Sequence, residues 1–211
     1  MVGVGDLIVR KLQERTDISD LSVEPDAESG CLSIHYFDGP DFYSDVSVFD
    51  SCTSDEIKIL LENFCSDYYV TQSWSVSCEL SKLLAKHGKL VAAKVENILA
   101  LDEANYFYHY PLHLAYLGSD PKWENYCIKC LDICQEDFRD GIFLACFYLN
   151  TYPIYCKLVE CFEKWIEQDV YWGSGTGEAY ALCKFIEKWD KTPDFNIHGK
   201  LVELAKKFDL F

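Results

Sequence analysis

The sequence predicts an α+β fold, in which a small N-terminal antiparallel β-meander with helices packs on a C-terminal stack of antiparallel α-hairpins of the HEAT-like type. Up to residue 76, apolar residues mostly alternate with polar ones, as in half-buried strands. After residue 76 they recur every three or four residues, as in helices. The aromatic content of 15% indicates a folded chain with a sizeable core. We therefore expect an acidic α/β front region at 1–76 and a helical region at 77–211, forming one compact unit.

The first region is predicted to begin with a short helix and to continue as three strands. Asp6 can cap a helix that reaches about Arg15. Residues 21–23, 32–36 and 42–48 are the strands, and the stretches between them are rich in Pro, Gly, Asp and Ser, which favour turns. Together these strands form an antiparallel meander with one face in solvent.

A second helix and a further strand complete the first region. Thr53 and Glu56 have the spacing of a capping box, in which two side chains satisfy backbone N–H groups at a helix start. Residues 68–76 alternate again and predict a fourth strand. The side chains that the helix after Thr53 would bury are Ile57, Leu60, Leu61 and Phe64.

From residue 77 onward the apolar spacing predicts eight helices with short breaks, so that neighbours run antiparallel. The first ends near Gly88, a candidate C-cap residue. Pro111 and Pro121 suit the first turns of the third and fourth helices, because the first turn does not need the proline N–H. The last four helices are predicted at 138–149, 153–166, 176–189 and 197–208.

The overall charge excludes several classes of partner. The net charge is −16 and the isoelectric point is about 4.6, which disfavours binding to nucleic acid and to anionic membranes. No signal peptide, lipidation motif or apolar run of about 18 residues is found in the sequence. We therefore expect a cytoplasmic protein in which the eleven cysteines serve as small core residues.

Three cysteines follow one another at a spacing typical of metal ligands, Cys127, Cys130 and Cys134. They would lie at positions i, i+3 and i+7 of one helix, and so share a face with Trp123. A stripe of core residues is the simplest interpretation, whereas a tetrahedral zinc site would need further converging ligands. The residues that could complete such a site are Cys146, His109 and His113.

The other motifs are weak indications of chemistry. His109 and His113 are four residues apart, but Pro111 between them disfavours the helix that would align them. The glycine-rich stretch 172–178 precedes a helix, as a phosphate-binding loop does, yet no Lys-Ser/Thr pair follows, and Glu178 adds a negative charge. No cysteine has the local signature of a nucleophile. We therefore expect no catalytic residue, no metal and no cofactor.

The acidic residues are concentrated in one stretch of the chain. Residues 17–67 hold thirteen carboxylates and one base, Lys58, whereas the other 160 residues hold 22 acids and 18 bases. Carboxylates with interleaved tyrosines match Lys and Arg side chains of a basic protein partner. The alternative is that this charge serves only solubility. The candidate partner-binding residues are Asp38, Asp41, Tyr43, Asp45, Asp50, Asp55, Glu56 and Trp172.

Three short motifs follow one another near the C-terminus: Tyr171-Trp172-Gly173, Glu178-Ala179 at a helix start, and Lys188-Trp189-Asp190 at its end. With these motifs the last half of the chain resembles the helical immunity proteins of bacterial polymorphic toxin systems, in particular the PoNi-like group that neutralises PoNe-type DNases. The resemblance implies an antitoxin without catalytic activity that covers the active site of a basic toxin domain, such as a nuclease. A helical scaffold or adaptor for a protein or peptide partner is the alternative.

Overall fold

The computed structural model describes residues 3–16, 18–25, 32–37, 41–65, 74–101, 111–133, 139–167, 177–190 and 198–207. Most of these residues are helical, and the strands among them form only a two-stranded antiparallel ribbon. The predicted α+β class with a β-meander is therefore wrong, because the chain is predominantly helical.

The first described helix begins at Val4, and the last one ends at Lys207. The two strands come directly after the first helix. Among the described residues, three 3-10 segments lie between the helices, at Gly88–Val91, Pro111–Ser119 and Pro121–Trp123. The remaining elements are α1 (Val4–Gln13), β1 (Ser19–Pro25), β2 (Leu32–Phe37), α2 (Ser54–Phe64), α3 (Trp74–His87), α4 (Ala92–Leu101), α5 (Glu124–Ile133), α6 (Arg139–Leu149), α7 (Tyr152–Glu167), α8 (Gly177–Asp190) and α9 (His198–Lys207).

Two predicted strands are present, and the next one is not. Strands β1 and β2 pair antiparallel, with Val23 opposite Ile34. Residues 41–50 form bends and turns instead of the strand predicted at 42–48. Polar side chains hold these turns by accepting backbone hydrogen bonds: Ser44 Oγ lies 3.2 Å from the nitrogen of Val46, and Asp50 Oδ2 lies 2.8 Å from that of Ser47.

The strand predicted at 68–76 is also wrong where the structure describes it. Helix α3 already begins at Trp74, while residues 68–73 lie outside the described residues. Val76 is buried together with Leu80, Leu83 and Leu84. These four positions recur at helical spacing, so Val76 belongs to the apolar face of a helix and not to a strand.

Two helix-start signals of the sequence are confirmed, whereas the predicted cap at Asp6 is wrong: α1 begins at Val4 after Gly3, and Asp6 lies within its first turn. Thr53 Oγ1 accepts a hydrogen bond from the nitrogen of Glu56 at 3.3 Å, and Glu56 Oε2 accepts one from the nitrogen of Thr53 at 2.9 Å. The four apolar side chains predicted on α2 are buried. Asp120 caps the 3-10 turn at Pro121 by accepting a hydrogen bond from the nitrogen of Lys122. The last four predicted helices also occur, within one or two residues of the expected bounds.

A connected cluster of buried apolar side chains extends from Leu7 in α1 to Ala205 in α9. The 3-10 segment Pro111–Ser119 lies inside it, packed against α3 and α6, and its residues 112–117 are all buried. Gly118 comes so close to α6 that an added Cβ would lie 3.1 Å from the backbone of Ala145. The centre of the core is therefore a short, tightly wound segment with helices around it.

Gly88 and Gly199 form a matched pair for testing this packing. A Cβ on Gly88 would lie 2.5 Å from Cδ2 of the buried Tyr116, whereas a Cβ on Gly199 would meet nothing within 4 Å. We expect Gly88→Ala to lower the free energy of unfolding by about 1–3 kcal/mol through overpacking. Gly199→Ala, within α9, should be neutral or stabilising by up to about 1 kcal/mol. Urea denaturation measures both, and equal effects would contradict the close contact at Gly88.

Candidate protein-binding surface

The acidic segment, defined here as residues 41–50, lies against lysines of two helices. Helix α3 contributes Lys82 and Lys86, and helix α8 contributes Lys184 and Lys188. Residues four apart lie on the same face of a helix. Each helix therefore presents two ammonium groups to the acidic segment.

On the α8 side, each lysine binds one aspartate. Lys184 Nζ lies 2.9 Å from Asp41 Oδ2, and Lys188 Nζ lies 3.0 Å from Asp45 Oδ1. The hydrogen bond from Lys184 lowers the pKa of Asp41 below its usual value of 3.8. Lys188 also lies 3.8 Å from the centre of the Phe147 ring, so its ammonium group is held by a cation–π contact as well as by the carboxylate.

On the α3 side, one ion pair is exposed and one is buried. Lys86 Nζ lies 2.9 Å and 3.2 Å from the two carboxylate oxygens of Asp50. Lys82 is fully buried and its Nζ lies 2.7 Å from Glu79 Oε1. Burial lowers the pKa of Lys82, and the neighbouring Glu79 opposes that change. The pair is therefore a desolvated one that requires further hydrogen bonds.

The buried pair obtains those hydrogen bonds from the backbone of the acidic segment. Lys82 Nζ donates to the carbonyl oxygen of Val46 at 3.2 Å, and Glu79 Oε2 accepts from the nitrogen of Val48 at 2.9 Å. The acidic segment is not paired with a β-strand. Two of its backbone polar groups are paired instead with buried side chains, one that donates and one that accepts a hydrogen bond. The Glu79–Lys82 pair fixes the position of the segment, and the half-buried lysines Lys86, Lys184 and Lys188 hold its aspartates.

Tyr43 does not project from a solvent face as predicted. Only 3% of the residue is exposed, and its ring lies 4.9 Å from that of Phe42 and 5.8 Å from that of Tyr180, measured between centroids. Its hydroxyl donates to Asp140 Oδ1 at 3.5 Å. The prediction assumed that side chains alternate between the two faces of a strand. Residues 41–50 do not form a strand, so this pattern does not hold there, and Tyr43 is a core residue.

Two further predicted residues lie at the start of α2. Glu56 is bound by Arg10, at 2.7 Å, in addition to its capping role. The hydrogen bond from the backbone of Thr53 is the main cause that lowers the pKa of Glu56. Asp55 is exposed in the first turn of the helix. Two predicted residues, Asp38 and Trp172, lie outside the described residues.

The exposed part of this region is a mixed surface. Val46 and Tyr180 are 50% and 37% exposed, although both are large apolar or aromatic residues. The side chains of Asp41 and Asp45 beside them are 56% and 71% exposed. Lys184 lies 5.5 Å from the centre of the Tyr180 ring and connects it to Asp41. We call the following set the segment surface: Asp41, Asp45, Val46, Tyr180, Lys184 and Lys188.

Sequence reasoning found the aspartates of the segment surface and missed its other members. One signal was available, because Tyr180, Lys184 and Lys188 recur every four residues and must share one face of a helix. No signal in the sequence shows that this face meets Asp41 and Asp45, which lie more than a hundred residues away.

Those candidate metal ligands that the structure describes are core residues. Cys127 and Cys130 are buried, in line with the predicted core stripe, and the possible completing ligand Cys146 is buried as well. His113 Nε2 lies 2.7 Å from the carbonyl oxygen of Phe64. Cys134 and His109 lie outside the described residues. In the part of the chain that the structure describes, no group of three or more His, Cys, Asp or Glu residues is arranged to hold a metal ion.

Three of the described thiols are poorly suited to act as nucleophiles. Burial raises the pKa of Cys65 and of Cys78 to about 12, and that of Cys161 to about 11. Because the thiolate is the reactive form, these groups are protonated and unreactive at neutral pH. Their burial among apolar side chains gives them a packing role.

Comparisons with known proteins give no match: no protein-family model, no curated protein and no solved structure is similar to the chain. The resemblance to immunity proteins therefore stays a prediction. Among the described helices, none combines the length and the apolar character needed to cross a bilayer.

The buried ion pair can be tested by removing one partner. We expect Lys82→Met to lower the free energy of unfolding by about 3–5 kcal/mol, because the buried carboxyl group of Glu79 would lose its partner. Lys86→Met removes the same kind of cation from the more exposed pair with Asp50. This change should lower the free energy of unfolding by about 1 kcal/mol or less. Chemical denaturation distinguishes these outcomes, and similar losses in the two variants would contradict the structural role of Lys82.

The pair between Asp41 and Lys184 predicts a dependence of stability on acid. Asp41 has a pKa in the folded state that is lower than its usual value of 3.8. Its contribution to stability is therefore fully present above pH 3.8 and is lost as the pH falls through the folded-state pKa. We expect Asp41→Asn to weaken the decrease in melting temperature between about pH 5 and pH 2. Glu163→Gln, an exposed change of the same charge on α7, is the control. Parallel pH profiles for the wild type and Asp41→Asn would contradict this role.

Proposed function

We propose that the protein acts by binding another protein, as an immunity-type inhibitor of a basic bacterial toxin domain such as a nuclease. The segment surface is the proposed contact, and the inhibitor would act by covering the active site of its partner. No reaction of its own is part of this proposal, because the chemistry-bearing side chains discussed above have structural roles.

The observation that carries the proposal is the exposure of two large side chains near accessible aspartates: Val46 follows Asp45 in the sequence, and Lys184 connects Tyr180 to Asp41. Tyrosine is enriched among the residues that contribute most to protein interfaces, and accessible charges around it select the partner. The carboxylate of Asp45 contacts Lys188 through Oδ1, so its second oxygen can accept from an incoming arginine or lysine.

The internal lysines change how the acidic residues contribute. Asp41, Asp45 and Asp50 are each paired within the molecule, so their negative charge is partly compensated before any partner arrives. The carboxylates of these pairs are more exposed than the lysines, whose side chains are only 15–17% exposed. A partner arginine can therefore reach the carboxylates while the lysines stay in place, so that shape and aromatic contact matter more for binding than net charge.

The inhibitor proposal predicts that a basic protein is encoded beside this gene in its native genome, and that protein is the partner to test. We expect the double variant Asp45→Ala and Tyr180→Ala to weaken the complex at least about tenfold, since it removes one acid and one aromatic anchor. The matched control changes an exposed acid and an exposed tyrosine of α7, Glu163→Ala and Tyr152→Ala. Isothermal titration calorimetry measures the dissociation constants, and circular dichroism verifies that both variants are folded.

Two results would contradict the proposal. Equal affinities for the two double variants would show that the segment surface is not the interface. A tight complex that leaves the toxicity of the partner unchanged in a growth assay would favour the adaptor alternative, in which the protein binds without inhibiting.

A further inference from the structure

A groove of about 530 Å³ opens beside the second half of α2, where the 3-10 segment Gly88–Val91 leads into α4. This volume lies within the range of about 300–1,000 Å³ that is typical of ligand sites. None of its lining residues belongs to the segment surface. Four charged side chains line it, of which three are basic and one is acidic: Lys58, Lys89, Lys94 and Glu62. A locally basic site on a chain with a net charge of −16 is unexpected from composition.

The ammonium groups of the groove are weakly compensated. Lys58 Nζ lies 3.8 Å from Glu62 Oε1, and Lys89 Nζ lies 3.4 Å from Asp120 Oδ2, in pairs that are largely open to solvent. Lys94 Nζ donates to the backbone oxygen of Glu62 at 2.6 Å, which is a neutral acceptor. Among the described residues, no carboxylate lies within ion-pair distance of Lys94. The groove therefore keeps a net positive charge.

An apolar side chain is exposed in the same groove. Leu90 is 43% exposed and lines the wall between Lys89 and the start of α4. Ile59, next to Lys58 in sequence, is also exposed on α2. A small inorganic anion would leave Leu90 in water, whereas a peptide can cover it while its carboxylates meet the lysines.

We propose that this groove binds an acidic peptide segment of a partner protein. Carboxylates of the peptide contact Lys58 and Lys94, and one apolar side chain packs against Leu90. Charge complementarity identifies this occupant, because an anionic segment is attracted to a groove that collects three lysines. The site is independent of the proposed toxin contact, so either can fail without the other.

The probe is a fluorescein-labelled peptide of Asp and Glu residues with a central leucine, titrated with the full-length protein in fluorescence polarisation. Two control peptides separate the contributions: one has glycine in place of leucine, and one has Asn and Gln in place of Asp and Glu. We expect the acidic leucine peptide to bind at least about fivefold more tightly than either control.

Protein variants locate the site. Lys58→Gln with Lys94→Gln should weaken binding of the acidic leucine peptide at least about fivefold, the effect expected for two charge contacts. Lys129→Gln with Lys164→Gln removes the same charge from exposed positions on α5 and α7 and should change it less than about twofold. Leu90→Ser should remove the advantage of the leucine peptide over the glycine peptide. Thermal melts of all variants show that they remain folded.

Several outcomes would overturn the proposal. Equal losses for the two lysine pairs would show nonspecific attraction. Displacement of the peptide by inorganic phosphate, but not by sodium chloride of the same ionic strength, would identify a small-anion site. Self-association of the wild type that Lys58→Gln with Lys94→Gln abolishes in sedimentation would identify a second copy of the chain as the occupant.

Discussion

The placement of the acidic segment depends on one buried ion pair, between Glu79 and Lys82 on consecutive turns of α3. Each partner of that pair also binds the backbone of the segment, at Val46 and Val48. A buried charge needs a counter-charge and hydrogen bonds, and a buried peptide group needs a partner. The pair and the segment satisfy these two requirements for each other, so neither would be stable in this position alone.

From this anchor, the acidic segment links distant parts of the chain. Asp50 reaches Lys86 on α3, and Asp41 and Asp45 reach the lysines of α8, near the C-terminal end. Tyr148 of α6 adds a hydrogen bond from its hydroxyl to the carbonyl oxygen of Ser44. The negative stretch of the sequence is therefore an internal connector as well as a surface, and any partner that binds there meets a structured, partly neutralised site.

The sequence predicts most of the helices because their signals are local. Thr53 with Glu56, and Asp120 before Pro121, mark helix starts within a few residues, and the apolar spacing marks the buried face. The segment at 41–50 could not be predicted in the same way. Its apolar and polar residues alternate as in a strand. However, the side chains of Ser44 and Asp50 accept hydrogen bonds from nearby backbone nitrogens, and the consecutive residues Val48 and Phe49 are both buried. The partners of its aspartates lie on helices far along the chain, where periodicity gives no information about contacts.

The lysines of α8 act as tethered counterions for Asp41 and Asp45. When a charged partner binds an ordinary polyelectrolyte, mobile ions escape into bulk solution, and their gain in entropy makes affinity depend steeply on salt. Ions that are covalently attached to a helix cannot escape in this way. Association at this surface would therefore vary less with ionic strength than the number of carboxylates in the sequence suggests.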